Sequence, residues 1–161
     1  MLKKILIILL IAFVIIQFIH PGRNKTTAEQ TGYIGKVYPV PTDVKSILEK
    51  ACNDCHSNNT RYPWYFKVQP VDWWLTGHIN DGKKELNLDE FTGRSPRFQY
   101  NKMEALQKEV KEGGMPLNSY LWIHKDAKLS SDEKNKLIAW ADDIRNDLKS
   151  RYPMDSLVRK K

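Results

Sequence analysis

The chain has 161 residues, enough for one domain with a hydrophobic core but too few for two. Hydrophobic residues make up 41% of it and charged residues 28%, a balance that excludes a largely disordered chain. The formal charge of +7 is modest and scattered, and no nucleic-acid-binding motif accompanies it, so we expect no nucleic acid partner. A basic surface of this kind fits an anionic membrane surface or an acidic protein partner instead.

The first twenty residues predict a membrane segment. Lys3 and Lys4 precede a run from Ile5 to Ile19 that is apolar except for Gln17. Fifteen helical residues reach about 22 Å against a hydrocarbon core of about 30 Å, and outward-reaching lysines extend the helix towards a full span. We therefore predict a signal-anchor or transmembrane helix over residues 1–20. The alternative is a cleaved signal peptide with secretion of the domain, although no good cleavage site follows the run closely.

The remaining chain divides into a linker, a helical domain and a tail. Residues 21–41 are polar and contain several glycines and prolines, which predicts a linker. Residues 42–151 carry apolar positions at helical spacing, and residues 152–161 form a basic tail. No alternating stretch is long enough for a sheet. We therefore predict an all-α fold, with a small helical domain after the N-terminal segment.

Capping and helix-breaking residues predict the helix boundaries of this domain. Four helices are expected: from Thr42 or Asp43 up to the cysteines, from Pro70 to Gly82, from about Asn101 to Glu112, and from a capping box of Ser130 with Glu133.

The segment Cys52-Asn53-Asp54-Cys55-His56 has the C-x-x-C-H pattern of covalent c-type haem attachment, and it contains both cysteines of the chain. Two thiols one helical turn apart can add to the two vinyl groups on one edge of a porphyrin. The neighbouring imidazole then lies beneath the iron as its proximal ligand. We predict one covalent haem c per chain, held by Cys52, Cys55 and His56.

Other uses of the same cysteines fit less well. A thioredoxin-like dithiol needs a βαβ context that the sequence lacks. A structural zinc ion needs four ligands, so His78 and His124 would have to join the pair. A plain disulfide leaves His56 unexplained.

Met115 is the predicted sixth ligand of the iron. It follows Gly113-Gly114 just past a helix end and precedes Pro116, so a helical core position does not explain it. The runner-up is His78, one helical turn after Trp74. His124 and an open site are the remaining alternatives.

Polar groups are also needed for the two haem propionates, because buried carboxylates are costly unless they are paired or hydrogen-bonded. Arg61 and the indole N–H groups of Trp64, Trp73 and Trp74 are the candidates. The alternative for the tryptophans is a purely hydrophobic role in the core.

These residues resemble a known family. The stretch from Cys52 to Tyr65 is similar to the start of the haem-binding domain family of bacterial cytochrome-c-like proteins. Pro70 to His78 resembles that family's Pro-x-x-Trp…His segment, and Met115-Pro116 its methionine loop. The stretch from Tyr120 to Trp140 resembles its closing helix. The resemblance covers roughly residues 37–151.

The resemblance implies a single covalent haem in a small helical domain, often exported behind an N-terminal signal or anchor. Since haem attachment in cytochromes c takes place outside the cytoplasmic membrane, Lys3 and Lys4 would lie inside and the domain in the periplasm. The leading hypothesis is a membrane-tethered electron carrier with an acidic redox partner, no small-molecule substrate and no enzymatic activity. The alternative is a haem sensor or peroxidase-like domain with a vacant or weakly held sixth site.

Overall fold

The computed structural model describes residues 1–158, and every regular element in this range is helical. The α-helices are α1 (Leu2–Ile16), α2 (Thr42–Ala51), α3 (Asn53–His56), α4 (Val71–Glu85), α5 (Pro96–Glu112), α6 (Asn118–Leu121), α7 (Ser131–Arg151) and α8 (Met154–Leu157). Short 3-10 turns occur at Ile34–Lys36, Trp64–Lys67, Phe91–Gly93 and Lys125–Ala127. The predicted all-α class is confirmed.

The larger hydrophobic core lies between α2, α5 and α7. Apolar residues at helical spacing on each helix supply it, and the long helices α5 and α7 pack against each other along their length. Trp140 of α7 is buried there, and its indole N–H donates to the Pro39 carbonyl at 3.0 Å. The segment before α2 is therefore bound to the core.

A smaller core forms on α4 around Tyr65, Phe66 and Ile79. The one-turn helix α3 lies between the two cores, since Cys52 packs against the larger one and Cys55 against the smaller one. The cysteine segment therefore joins the two halves of the domain.

The predicted capping box of α7 is confirmed. The Ser130 hydroxyl accepts a hydrogen bond from the Glu133 N–H at 3.2 Å, and the Ser130 N–H donates to the Glu133 carboxylate at 2.9 Å. Helix α2 also begins at Thr42 and ends at Ala51, next to Cys52, as its apolar spacing predicts.

Two predicted helix boundaries are wrong. Helix α5 begins at Pro96 rather than Asn101, because the Ser95 hydroxyl accepts from the Phe98 N–H and proline suits the first helical position. Helix α4 does not stop at Gly82 but continues to Glu85. Gly82 has a packing role instead, which is described with the site.

The N-terminal helix is shorter than predicted. Helix α1 ends at Ile16, and the side chain of the next residue, Gln17, contacts Gln69: the Gln69 N–H donates to the Gln17 amide oxygen at 2.9 Å. Within residues 1–158 no helix is both long enough and apolar enough to cross a bilayer. The fold therefore does not support the transmembrane helix predicted over residues 1–20.

The segment after α1 makes specific contacts with the domain. Asn24 donates to the Ser57 carbonyl at 2.8 Å and to the Thr60 hydroxyl at 2.9 Å, and Ile34 is completely buried. The division of the chain at residues 20, 41 and 151 stays a prediction. The last part of the predicted basic tail, residues 159–161, lies outside the described residues.

Candidate functional site

The two cysteines are presented by a break between α2 and α3. The Cys52 N–H donates to the Leu48 carbonyl and so closes α2, while the Cys52 carbonyl accepts from the N–H groups of Cys55 and His56 at 3.1 and 3.0 Å. This single turn brings the side chains of residues 52, 55 and 56 into one short segment. Both cysteines are free thiols and half-buried.

Burial controls the protonation of these thiols. Burial, with a smaller effect from Cys55, raises the pKa of Cys52 to about 12. Burial, with a smaller effect from Asp54, raises the pKa of Cys55 to about 11. Both sulfurs therefore carry their protons at neutral pH.

The His56 ring is held by the backbone that follows α4. Its Nδ1 lies 2.8 Å from the Leu86 carbonyl oxygen, and because a carbonyl can only accept, Nδ1 carries the hydrogen. The Nε2 lone pair is then the one available to a metal. Burial lowers the pKa of His56, so the imidazole is neutral at neutral pH. This tautomer and charge are those of a metal-ligating histidine.

Gly82 allows α4 to approach the cysteine turn. A Cβ atom at this position would lie 2.9 Å from the Cys55 carbonyl oxygen and 3.1 Å from the Cys55 Cβ. Such contacts are too short, so only glycine lets α4 pass this close to α3. The glycine that the sequence suggested as a helix end is therefore a packing position of the site.

A narrow cleft of about 40 Å³ opens beside Cys55, between α4, the loop after α3 and the segment around α6. The surface that lines it is mostly apolar, and the lining residues are Asp54, Cys55, Thr60, Arg61, Tyr65, Phe66, Leu75, His78, Ile79, Leu117, Ser119 and Tyr120. Of the predicted site residues, the structure thus brings together Cys55, Arg61 and His78.

The two candidates for the sixth ligand lie in different places. His78 is on α4 and lines the cleft, with its ring edge-on to Trp74 at 4.6 Å between centroids. Met115 is half-buried beyond α5, after Gly113 in the left-handed conformation, and is not among the residues that line the cleft. Leu117, two residues further on, does line it. The choice of ligand stays a prediction.

The predicted propionate partners are also spread out. The Arg61 side chain pairs with Asp54, with N–O distances of 3.1 to 3.3 Å. Trp64 is exposed and lies next to Tyr65, while the Trp73 indole N–H donates to the Ile19 carbonyl at 3.0 Å. None of the three tryptophans at positions 64, 73 and 74 lines the cleft.

Sequence reasoning missed a polar network along one wall of the cleft. Tyr120 donates to the buried Asp54 carboxylate at 2.7 Å, and its ring stacks on His124 at 4.1 Å between centroids. His124 Nε2 in turn lies 2.6 Å from the Tyr65 hydroxyl. Burial, and then the Asp54 carboxylate, raise the pKa of Tyr120. The one signal for this network in the sequence was Asp54, an acidic residue between the two cysteines. Once the fold buried it, it would need polar partners.

The donor set fits a haem: two neutral thiols one turn apart, an imidazole with Nε2 available, and an apolar cleft beside them. Among the described residues, no group of three or more histidine, cysteine, aspartate or glutamate side chains is arranged to hold a metal ion alone.

Comparison with known proteins points to the same group. A family model described as "Haem-binding domain" matches residues 11–143, which is most of the chain. Comparisons with curated proteins and with solved structures give no match. The family match confirms the resemblance found in the sequence: this chain belongs to the haem-binding domain family.

Proposed function

We propose that this protein is a monohaem c-type cytochrome that transfers single electrons outside the cytoplasmic membrane. The observation that carries the proposal is the hydrogen bond between His56 Nδ1 and the Leu86 carbonyl, next to two free thiols. A bound haem supplies one-electron chemistry, because its iron cycles between the ferrous and ferric states.

Cys52 and Cys55 would hold the porphyrin through thioether bonds. Each S–H would add across one vinyl C=C bond, with the sulfur bonded to one vinyl carbon and the thiol hydrogen passed to the other, so that no oxidant would be consumed. The pKa values of about 12 and 11 keep both thiols protonated, so each brings its own hydrogen to the addition. The cofactor would then be unable to dissociate.

His56 would be the proximal ligand. The carbonyl of Leu86 fixes its tautomer and orients the ring, which is the usual way in which a ligating histidine is supported by a second group. Burial favours the neutral imidazole, the form that binds a metal.

Two residues are candidates for a second protein ligand to the iron. Met115 is supported by its place between Gly113-Gly114 and Pro116, in the loop that also carries Leu117 into the cleft wall. His78 is supported by its own position in the cleft wall. A methionine ligand would raise the reduction potential relative to a second histidine, because a neutral soft sulfur favours ferrous iron.

We propose that the domain works on the outer side of the cytoplasmic membrane, because haem attachment in this class of protein takes place there. The exposed apolar residues of α1, preceded by Lys3 and Lys4, would direct export and tether the chain to the membrane. Secretion after cleavage of the N-terminal segment is the alternative. The net charge of +7 favours an acidic redox partner that associates in a salt-dependent way.

A second candidate function is a haem sensor or a peroxidase-like domain. It is favoured by one observation: Met115 does not line the cleft, whereas His78 does and could act as a hydrogen-bond donor or an acid–base group. In this case the sixth site would be vacant or weakly held.

Optical and resonance Raman spectra of the matured protein test these proposals, with wild type measured beside Met115→Ala and His78→Ala. The electron carrier predicts a six-coordinate haem that resists carbon monoxide and does not turn over peroxide. Loss of a far-red sulfur-to-iron band in Met115→Ala alone would identify the methionine ligand. A colourless protein with the mass of the bare chain would overturn haem attachment, and rapid carbon monoxide binding would favour the sensor.

A further inference from the structure

Residues 17–23, which follow α1, are bound to Gln69 and Asp72 at the start of α4 through a set of partly buried polar contacts, which we call the joint. The amide of Gln17 pairs with the backbone of Gln69, with the Gln69 N–H donating at 2.9 Å and the Gln69 carbonyl accepting at 3.3 Å. His20 Nδ1 and Arg23 Nη1 each lie 2.7 Å from one oxygen of the Asp72 carboxylate. Gln69 and Asp72 are completely buried.

The joint fixes the direction of α1 relative to the domain. Asp72 is a buried carboxylate that also accepts from the Thr76 hydroxyl at 3.4 Å, and losing either His20 or Arg23 would leave its charge poorly compensated in a low-dielectric environment. The Gln69 side chain adds a third connection, because its amide donates to the Ile19 carbonyl at 2.7 Å. The chain that connects α1 to the domain is therefore held in place at the joint and is not a flexible tether there.

The rest of α1, away from the joint, is not buried against the described chain. Apolar residues on its whole circumference are exposed, and it has no acidic residue in its first turn, where Lys3 and Lys4 lie. A protein partner would be expected to leave a polar face on such a helix, whereas a helix that is apolar all round suits lipid. Two basic residues at its start fit anionic lipid headgroups.

Two tryptophans lie where the helix meets the domain. Trp73 is 40% exposed and donates its indole N–H to the Ile19 carbonyl at 3.0 Å, and its neighbour Trp74 is 49% exposed. Tryptophan is enriched at the boundary between hydrocarbon and water, because its ring is apolar and its N–H is polar.

We infer that the joint holds the domain in one orientation on a lipid bilayer, with α1 in the hydrocarbon and Trp73 and Trp74 at the level of the headgroups. This inference rests on the proposed membrane tether. Trp74 contacts His78, a residue of the cleft wall, so the cleft would open close to the membrane surface. An electron donor or acceptor within the membrane would then reach the site more easily than one in solution.

Photo-crosslinking of the full, haem-loaded chain on vesicles of phosphatidylcholine and phosphatidylglycerol tests this. A benzophenone amino acid is placed at Gly77, which lies one turn after Trp73 and has open space for a side chain, or at the exposed Lys108 of α5. We expect lipid adducts at position 77 and none at position 108, read by mass spectrometry. Asp72→Asn should abolish the adduct at 77, while Asp81→Asn, exposed on the same helix, should keep it.

Vesicle co-sedimentation and visible absorption separate the possible failures. Equal adducts at both positions, or an adduct at 77 that survives Asp72→Asn, would overturn the orientation while leaving the tether intact. A chain that does not co-sediment would overturn both. If the chain lacked haem absorbance but still gave the expected adducts, the proposed orientation would stand and the proposed cytochrome function would be overturned. If Asp72→Asn fails to fold, Gln17→Ala, at the edge of the joint, replaces it.

Discussion

The Tyr65 hydroxyl lies 2.6 Å from His124 Nε2, and this contact joins the loop after the cysteines to the segment that leads into α7. His124 stacks on Tyr120, which donates to Asp54 between the two cysteines. One side of the cleft is therefore supported by a connected network drawn from two distant parts of the chain, residues 54–65 and residues 120–124.

Removing the Tyr120 hydroxyl should destabilise the fold without removing the cofactor. In Tyr120→Phe the buried Asp54 carboxylate keeps Arg61 but loses one charge-assisted hydrogen bond, with an expected cost of about 1.5–3 kcal/mol in the free energy of unfolding. Urea denaturation followed by circular dichroism measures it. Tyr152→Phe, exposed at the end of α7, is the control. Equal stability of the two variants would show that the network contributes nothing.

The two glycines of α4 should respond to alanine with opposite signs. Gly82→Ala places a Cβ against the Cys55 backbone and should destabilise the protein by about 1–3 kcal/mol. Gly77→Ala meets open space in a helix interior and should stabilise it by roughly 0.5–1 kcal/mol. Thermal unfolding of the two variants under identical conditions measures both effects. A stabilising Gly82→Ala would contradict the close approach of α4 to α3.

The cysteines should hold the cofactor independently. Cys52→Ala and Cys55→Ala should each retain haem through the remaining thioether bond, with a pyridine haemochrome band shifted to longer wavelength because one vinyl group stays unsaturated. The double variant should release all haem into acidified acetone, whereas the wild type releases none. Extraction followed by intact mass measurement distinguishes these cases. Full haem release from either single variant would contradict two-point attachment.

Glu133 should stabilise α7 in a pH-dependent way. The Lys50 ammonium and then the Ser130 N–H lower the pKa of Glu133 in the folded state. Its contribution is therefore complete above the unfolded pKa of about 4.3 and is lost as the pH falls through the lower folded-state pKa. The stability difference between wild type and Glu133→Gln should shrink between about pH 6 and about pH 3. Chemical denaturation across this range checks it, with Asp143→Asn, exposed on the same helix, as control.

Local signals in the sequence were enough for much of the fold. The capping box of Ser130 and Glu133 and the apolar spacing of α2 depend on residues within one or two turns, and both are confirmed. The start of α5 was equally local, at Ser95-Pro96, but the irregular sequence before it hid the signal. The prediction that Gly82 ends α4 was wrong because a glycine in a helical pattern can either end the helix or make room for a neighbouring segment. Only the position of Cys55 in the fold distinguishes the two roles.

The cleft wall and the joint could not be predicted in the same way. Tyr65 and His124 are 59 residues apart, and Gln17 and Gln69 are 52 apart, so only the packed fold brings each pair together. No sequence pattern around a tyrosine or a glutamine predicts which distant residue will be its hydrogen-bond partner. The short motif of Cys52, Cys55 and His56, by contrast, pointed to the chemistry directly because its geometry is contained in one helical turn.

The acceptor that orients the His56 ring is a main-chain oxygen, at Leu86. A substitution at position 86 does not remove that oxygen. The orientation of the His56 ring therefore depends on the path of the backbone and not on the amino acid at position 86. The Leu86 side chain packs against the larger core, so a change at this position would affect packing before it affected the imidazole. Only a change that displaces the backbone after α4 would turn the ring away.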